Sequence, residues 1–418
     1  MARIEFPEET RKRVEAIGNA DFVLGVAGAA HPEELTAKAE SWVRSLASVS
    51  GSALKIVVAF AGLPEMTESP LAVEGIQFLS YEMPAHDPSA GPWAEISVAQ
   101  RSVLELAALL QARACVVVHH DLATLDDPAS HSLAAPVLDG RCDLVSPIYP
   151  EGKYDGLINK GLLAPLSRAL FGRRVRSSLP FDLCASARII PKIADTGVPR
   201  GQAGPQLLWP ANVAGMDSGR VCQAAIHASH TVQTDGMDLS TVLGLLAGDL
   251  FQQAETFAPH WQRVRASQPA EIVSEETVSK LTAERPDSAP LDTKPLIESF
   301  ALGSRNLEEV WRLVLPPVSL FELRQLARLA PEEFRMPDEL WARIVYDFAL
   351  AYRLRRIGRS HLLGALTPLY LGWVASYAKD IGEATVVEAD RRVEIVAQAF
   401  EANKPYLVSR WRWPDRAS

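Results

Sequence analysis

Short, nearly unbroken apolar runs set apart by helix-patterned stretches constrain this chain more than any other feature. The runs are DFVLGVAGAA (21–30), SALKIVVAFAG (52–62), IQFLSYE (76–82) and ACVVVHHD (114–121). Runs of this length without polar alternation suit strands buried on both faces, as in parallel sheets covered by helices. The intervening segments fit. Residues 32–47 open with Pro32 and two glutamates, as helix N-termini favour, and Val98, Val103, Leu104, Leu106 and Leu110 recur near the helical period over 96–110. The expectation is an α/β fold with a mostly parallel, Rossmann-like sheet. In such sheets ligands gather beyond the carboxyl ends of the strands, which directs attention to Ala27–Ala30, Ala61–Leu63 and His119–Asp121. Neither GxGxxG nor GxxxxGK[ST] follows any of these strands, which disfavours a dinucleotide fold or a P-loop.

Farther along, 266–295 is rich in Pro, Ser, Thr and acids and weakly periodic, and reads as a linker or crossing segment. Beyond it the pattern turns helical: 337–357 carries one apolar stripe from Leu340 to Ile357, and further helices are expected over 360–378 and 384–402. The chain therefore divides at sequence level into an α/β domain (1–265), the crossing segment, and an all-helical domain (296–418). With 48% hydrophobic and 22% charged residues the chain has a globular composition. Its net charge of −9 argues against a nucleic-acid partner. No secretory signal or ~18-residue apolar span is visible. Four cysteines without a CxxC pair read as buried free thiols in a reducing compartment. These features together read as a cytoplasmic protein.

Three groups of residues could carry chemistry. His119-His120-Asp121 closes an apolar run, and Asp121 suits a hard cation such as magnesium or manganese; the same residues also suit a strand cap and the start of a turn. His227 and His230 would share a face on a helix but not on a strand, and read equally as ordinary surface or core histidines. Arg168, Arg173, Arg174 and Arg176, with Asp182, could grip phosphate or carboxylate, or complement a helix C-terminus. Upstream, Lys153-Tyr154-Asp155-Gly156 suits a turn. No GxSxG elbow or Cys–His pairing supports nucleophilic catalysis.

Taken in order, DFVLGVAG, HHDLATLD, CDLVSPIYPEGKYDGLINKGLLAPLSRALFGRRVRSSLPFD and VCQAAIHASH, then FALGSRNLEEVW, PDELWARIVYDFALAY, HLLGALTPLYLGWVASY and NKPYLVSRW, resemble the glucosylglycerate and mannosylglycerate synthase group of GT-A glycosyltransferases. The resemblance runs from about residue 20 to 413. It implies a retaining transferase that moves a hexose from a nucleotide diphosphate sugar to glycerate or a similar small carboxylate, with Mn²⁺ or Mg²⁺ on the donor diphosphate. The family's DxD step corresponds to His119-His120-Asp121, which makes Asp121 a metal ligand and donor contact and His119 an extra ligand. The metal-binding histidine corresponds to His230, with His227 as the fallback. Ala27-Gly28-Ala29-Ala30 takes the place of the nucleotide-binding strand end, and Leu179-Pro180-Phe181-Asp182 that of the sugar cradle, with Asp182 as the catalytic acid. Lys153, Tyr154, Asp155 and Arg176 fall on the acceptor side.

Several of these positions depart from the family pattern. His for Asp at 119 changes ligand charge and hardness, and Phe181 takes space from a pyranose ring. The metal could accordingly have been lost, and the alternative implied is a catalytically inactive scaffold or binding protein. Trp341, Trp373, Trp411 and Trp413 would then be candidates for an interface, with core packing favoured for the first two, and a homodimer through the helical domain is compatible with this pattern.

Overall fold

A computed structural model describes residues 4, 6–27, 39–44, 54–66, 76–83, 91–119, 127–195, 207–226, 237–283 and 289–414. The chain forms two compact units, and neither is continuous in sequence. The first takes 1–150, 175–235 and 269–284; the second takes 151–174, 236–268 and 285–418. The boundary expected near 265 is therefore replaced by an interleaved division. The segment 266–295, expected as a linker, supplies an edge strand and a helix (Glu275–Ala283) to the first unit.

The first unit is built on an eight-stranded sheet. Its strands are β1 (Phe22–Ala27), β2 (Ile56–Ala61), β3 (Gln77–Tyr81), β4 (Ala114–His119), β5 (Leu144–Ile148), β6 (Leu183–Ser186), β7 (Val221–Ala225) and β8 (Glu271–Ile272). The order across the sheet is β8-β7-β5-β6-β4-β1-β2-β3. Only β6 runs antiparallel to its neighbours, β4 and β5; every other pairing is parallel. This is the α/β class with a mostly parallel, Rossmann-like sheet expected from the sequence.

Alternation along each strand fills both faces. Val23, Ala27, Val57, Ala59, Cys115 and Val117 face the long helix α2 (Gly91–Leu109), while Phe22, Leu24, Val26, Phe60, Val116 and Val118 pack toward Trp42, Leu133 and Val137. Gly25 is a glycine because β1 lies close to that helix: a Cβ there would come within 2.0 Å of Val103 Cγ1. The short N-terminal helix α1 (Glu8–Ile17) buries Val14 in the same layer.

Cys142 and Cys222 are joined by a disulfide, with Cα atoms 6.0 Å apart. The expectation of four free thiols therefore holds only for Cys115 and Cys184, both buried. Both cysteines belong to the same buried layer beside the sheet, with Cys222 in β7 and Cys142 two residues before β5.

The second unit is helical: α3 (Ala164–Phe171), α4 (Leu239–Thr256), α5 (Lys294–Asn306), α6 (Asp338–Leu354), α7 (Arg359–Asp380) and α8 (Val386–Arg412) carry most of it. The stripe read over 337–357 becomes α6, which buries Leu340, Trp341, Ile344, Val345 and Phe348 and ends where Arg355 adopts a left-handed conformation, φ 54°. Trp341 donates its indole N–H to the Gly161 carbonyl at 2.7 Å, and Trp373 stacks on Trp341. Trp411 is buried against Trp261. Of the four tryptophans proposed as an interface strip, Trp413 alone is exposed; the others are core, as large aromatics on an amphipathic helix usually are. No helix among the described residues is long and apolar enough to cross a membrane.

Candidate functional site at the strand ends

The chain lays β1, β2 and β3 outward in one direction, then returns to place β4 on the other side of β1. The strand order reverses at that point, between the carboxyl ends of β1 and β4, the position where open α/β sheets receive their ligands. The last pair of this ladder is Ala27 opposite His119. Two positions expected at the donor site, Ala27 and His119, are thus brought side by side. Gly28, His120, Asp121, His227 and His230 lie outside the described residues.

His119 is 8% exposed, and its ring lies 5.7 Å from that of Phe181. Its backbone N–H donates to Asp182 Oδ1 at 3.0 Å. The other carboxylate oxygen, Oδ2, accepts from the Tyr149 hydroxyl at 2.9 Å, while the Tyr149 oxygen accepts from the backbone N–H groups of Phe181 and Asp182 at 3.1 and 3.2 Å. Burial, and then the adjacent Asp182 carboxylate, push the Tyr149 hydroxyl well above the ordinary tyrosine range, so it stays a donor. Asp182 is 0% exposed. This is a correction to its expected role. Asp182 does not present a carboxylate face to a sugar; it fixes the end of β4 and the turn into β6, which makes it a positioning residue.

The expected sugar cradle is corrected in the same way. Leu179, Pro180 and Phe181 pack against α2, where the buried Gln100 donates its amide to the Pro180 and Phe181 carbonyls at 2.9 and 2.8 Å. The cavity left there, lined also by Trp93 and Leu208, has a volume of about 10 Å³, room for about one water molecule. Tyr149 and Gln100 are residues of the site that sequence reasoning passed over: Tyr149 lies within the quoted segment 142–182 but carries no role there, and Gln100 belongs to no motif.

The acceptor-side residues are divided between the two units. Arg176, in the first unit, is exposed, and its backbone N–H donates to Gln223 Oε1 at 2.7 Å. Lys153, Tyr154 and Asp155 belong to the second unit. There the Lys153 ammonium donates to the carbonyls of Ile381, Gly382 and Ala384 at 3.4, 3.2 and 3.0 Å, and Asp155 accepts the Gly152 N–H at 2.7 Å. Lys153 caps the end of α7 and Asp155 closes a turn, so two expected acceptor contacts are structural. Tyr154 lies beneath the Lys153 ammonium, 5.7 Å from it to the ring centroid. The arginine cluster is absorbed likewise: Arg168 grips Glu394 bidentately at 2.6 and 2.9 Å, Arg173 donates to Gln268, and Arg174 to Ser267.

Among the described residues, one group of His, Cys and acidic side chains is tight enough for a metal: Cys142, Cys222 and Glu271, with ligand atoms within 4.8 Å of one another. Its two sulfurs are bonded to each other, so it offers no thiolate pair.

No family model matches the sequence, and no curated protein matches it. Solved structures similar to this chain include glucosyl-3-phosphoglycerate synthase from Mycobacterium tuberculosis in complex with phosphoglyceric acid. That match has 18% identity and a TM-score of 0.34, and covers 60% of this chain and 85% of that one. Mannosyl-3-phosphoglycerate synthase from Rubrobacter xylanophilus matches at 14% identity and a TM-score of 0.38, over 63% of this chain and 82% of that one.

Proposed function

We propose that this chain is a GT-A-type glycosyltransferase that binds a nucleotide diphosphate sugar over the β1/β4 strand ends and moves its hexose, with retention, to glycerate or a similar small carboxylate. The observation that supports this most is the meeting of Ala27 and His119 at the strand-order reversal, the place where an open α/β sheet receives a nucleotide. The resemblance in sequence adds the ligand class. Asp121 and His230 would hold a divalent cation with His119 as a further ligand, and such an ion supplies neutralising charge for the leaving diphosphate. Asp182 and Tyr149 keep the His119 backbone in register. The acceptor is proposed as a small carboxylate; the similar structures named above are synthases whose names include phosphoglycerate.

One observation favours a second reading, a scaffold that binds without transferring: the segment expected to cradle the sugar is packed shut by Gln100. Turnover separates the two. UDP-, GDP- and ADP-hexoses are incubated with Mn²⁺ and either glycerate or 3-phosphoglycerate, and released nucleoside diphosphate is measured. Acceptor-dependent release that disappears in Asp121→Ala is the outcome for a transferase. Binding without release from any pair would leave the scaffold.

A further inference from the structure

The second unit carries a cationic groove that the reading above does not use. It lies between the loop at Val264–Arg265 and the C-terminal turns of α8, and encloses about 530 Å³, within the range of small-molecule sites. Its floor is Lys404, 7% exposed, whose ammonium donates to the Val264 carbonyl at 2.6 Å. Arg265 and Arg412 stand exposed at its rim. Arg265 makes no hydrogen bond or ion pair among the described residues, and Arg412 spends only its Nε, on Gln262 Oε1 at 2.8 Å. The acid of the lining, Glu401, is already held by Arg168 at 3.1 and 2.7 Å.

Positive charge is therefore concentrated here beyond local compensation. Neighbouring His260 registers the field: burial first, then the charges of Lys404 and Arg263, lower its pKa. Cations at a helix C-terminus normally complement the dipole, but that effect fades within the last turn. Lys404 lies two turns earlier and Arg265 is not on the helix at all. The remaining wall is flat and apolar, made by Trp413, 57% exposed, with Pro405 and Val408.

We propose that this groove binds a small anion carried on a flat ring system, an aromatic or heterocyclic phosphate, with Arg265 and Arg412 on the phosphate and Trp413 against the ring. Guanidinium groups match phosphate oxygens bidentately, and an exposed indole offers stacking area. The groove is built from residues of the second unit alone.

The probe is 1-naphthyl phosphate, titrated into the full chain by calorimetry and by tryptophan fluorescence. We expect saturable one-to-one binding that weakens at least about tenfold in the double variant Arg265→Glu/Arg412→Glu and several-fold in Trp413→Ala. Both arginines are exposed, so these variants should keep the parent's melting midpoint; Arg265→Ala alone serves if the double variant does not fold. Binding should be unchanged in Asp121→Ala, which separates this groove from the proposed donor site. The proposal is overturned if the probe does not saturate, if the arginine variants bind it equally well, if 1-naphthol binds as tightly, or if Asp121→Ala abolishes binding.

Discussion

Single residues here show how a side chain's surroundings override its type. Lys153 reads in sequence as a polar turn residue and, by resemblance, as a grip for an acceptor carboxylate. Its ammonium instead donates to three carbonyls of the turn that follows α7, those of Ile381, Gly382 and Ala384. Lys153→Met should cost about 1–2 kcal/mol in chemical denaturation, as loss of charged hydrogen bonds does, and leave any acceptor KM unchanged. A selective rise in that KM at constant stability would restore the acceptor role. Asp182 makes the same point. The sequence marks it as the acid kept from a motif, but its partners, Tyr149 and the His119 N–H, come from two other strand ends and leave no local trace.

At the level of elements, legibility follows locality. β1, β2 and β4 were readable because burial on both faces removes polar alternation, and α6 because its stripe and its Pro337-Asp338 start are contained in the segment itself. β6 was not, since Leu183–Ser186 is four residues long and runs antiparallel between two parallel strands, a placement decided by its neighbours. The disulfide was hidden for the same reason, with 80 residues between its ends. α8 continues to Arg412 through Pro405, past the expected end near 402.

The tie between α3 and α8 gives a pH-dependent test. Arg168, acting through its hydrogen bonds, holds Glu394 below the usual glutamate range, against the opposing effect of burial. Because the folded state binds that proton less tightly than the unfolded chain, the stabilisation is complete above the ordinary glutamate pKa and is lost as pH falls through the depressed one. Glu394→Gln should therefore lower stability near pH 7 by about 1 kcal/mol, a figure discounted for a side chain 43% exposed. The difference from the parent should begin to shrink below about pH 4 and vanish once the pH is under the depressed value. A difference that persists unchanged in acid would show that the pair contributes by packing instead.

For the whole molecule, the sequence conveyed the sheet and the helical tail but not how the chain is shared between them. The second unit draws on 151–174 and 236–268 as well as the C-terminal third, because Trp341 and Trp373 need Gly161 beside them: a Cβ on Gly161 would lie 2.1 Å from the Trp373 ring. A helical domain starting at 296 would lack that packing surface. On the proposed reading a nucleotide would bind at the β1/β4 reversal, beside the segment 179–181 that Gln100 holds through the Pro180 and Phe181 carbonyls. The most direct test is a thermal-shift measurement of the full chain with UDP-, GDP- and ADP-sugars, with and without Mn²⁺, beside Asp121→Ala. The account predicts a rise of several degrees for one nucleotide class that needs the metal and disappears in the variant. No shift with any nucleotide sugar at millimolar concentration, or an equal shift in Asp121→Ala, would contradict it.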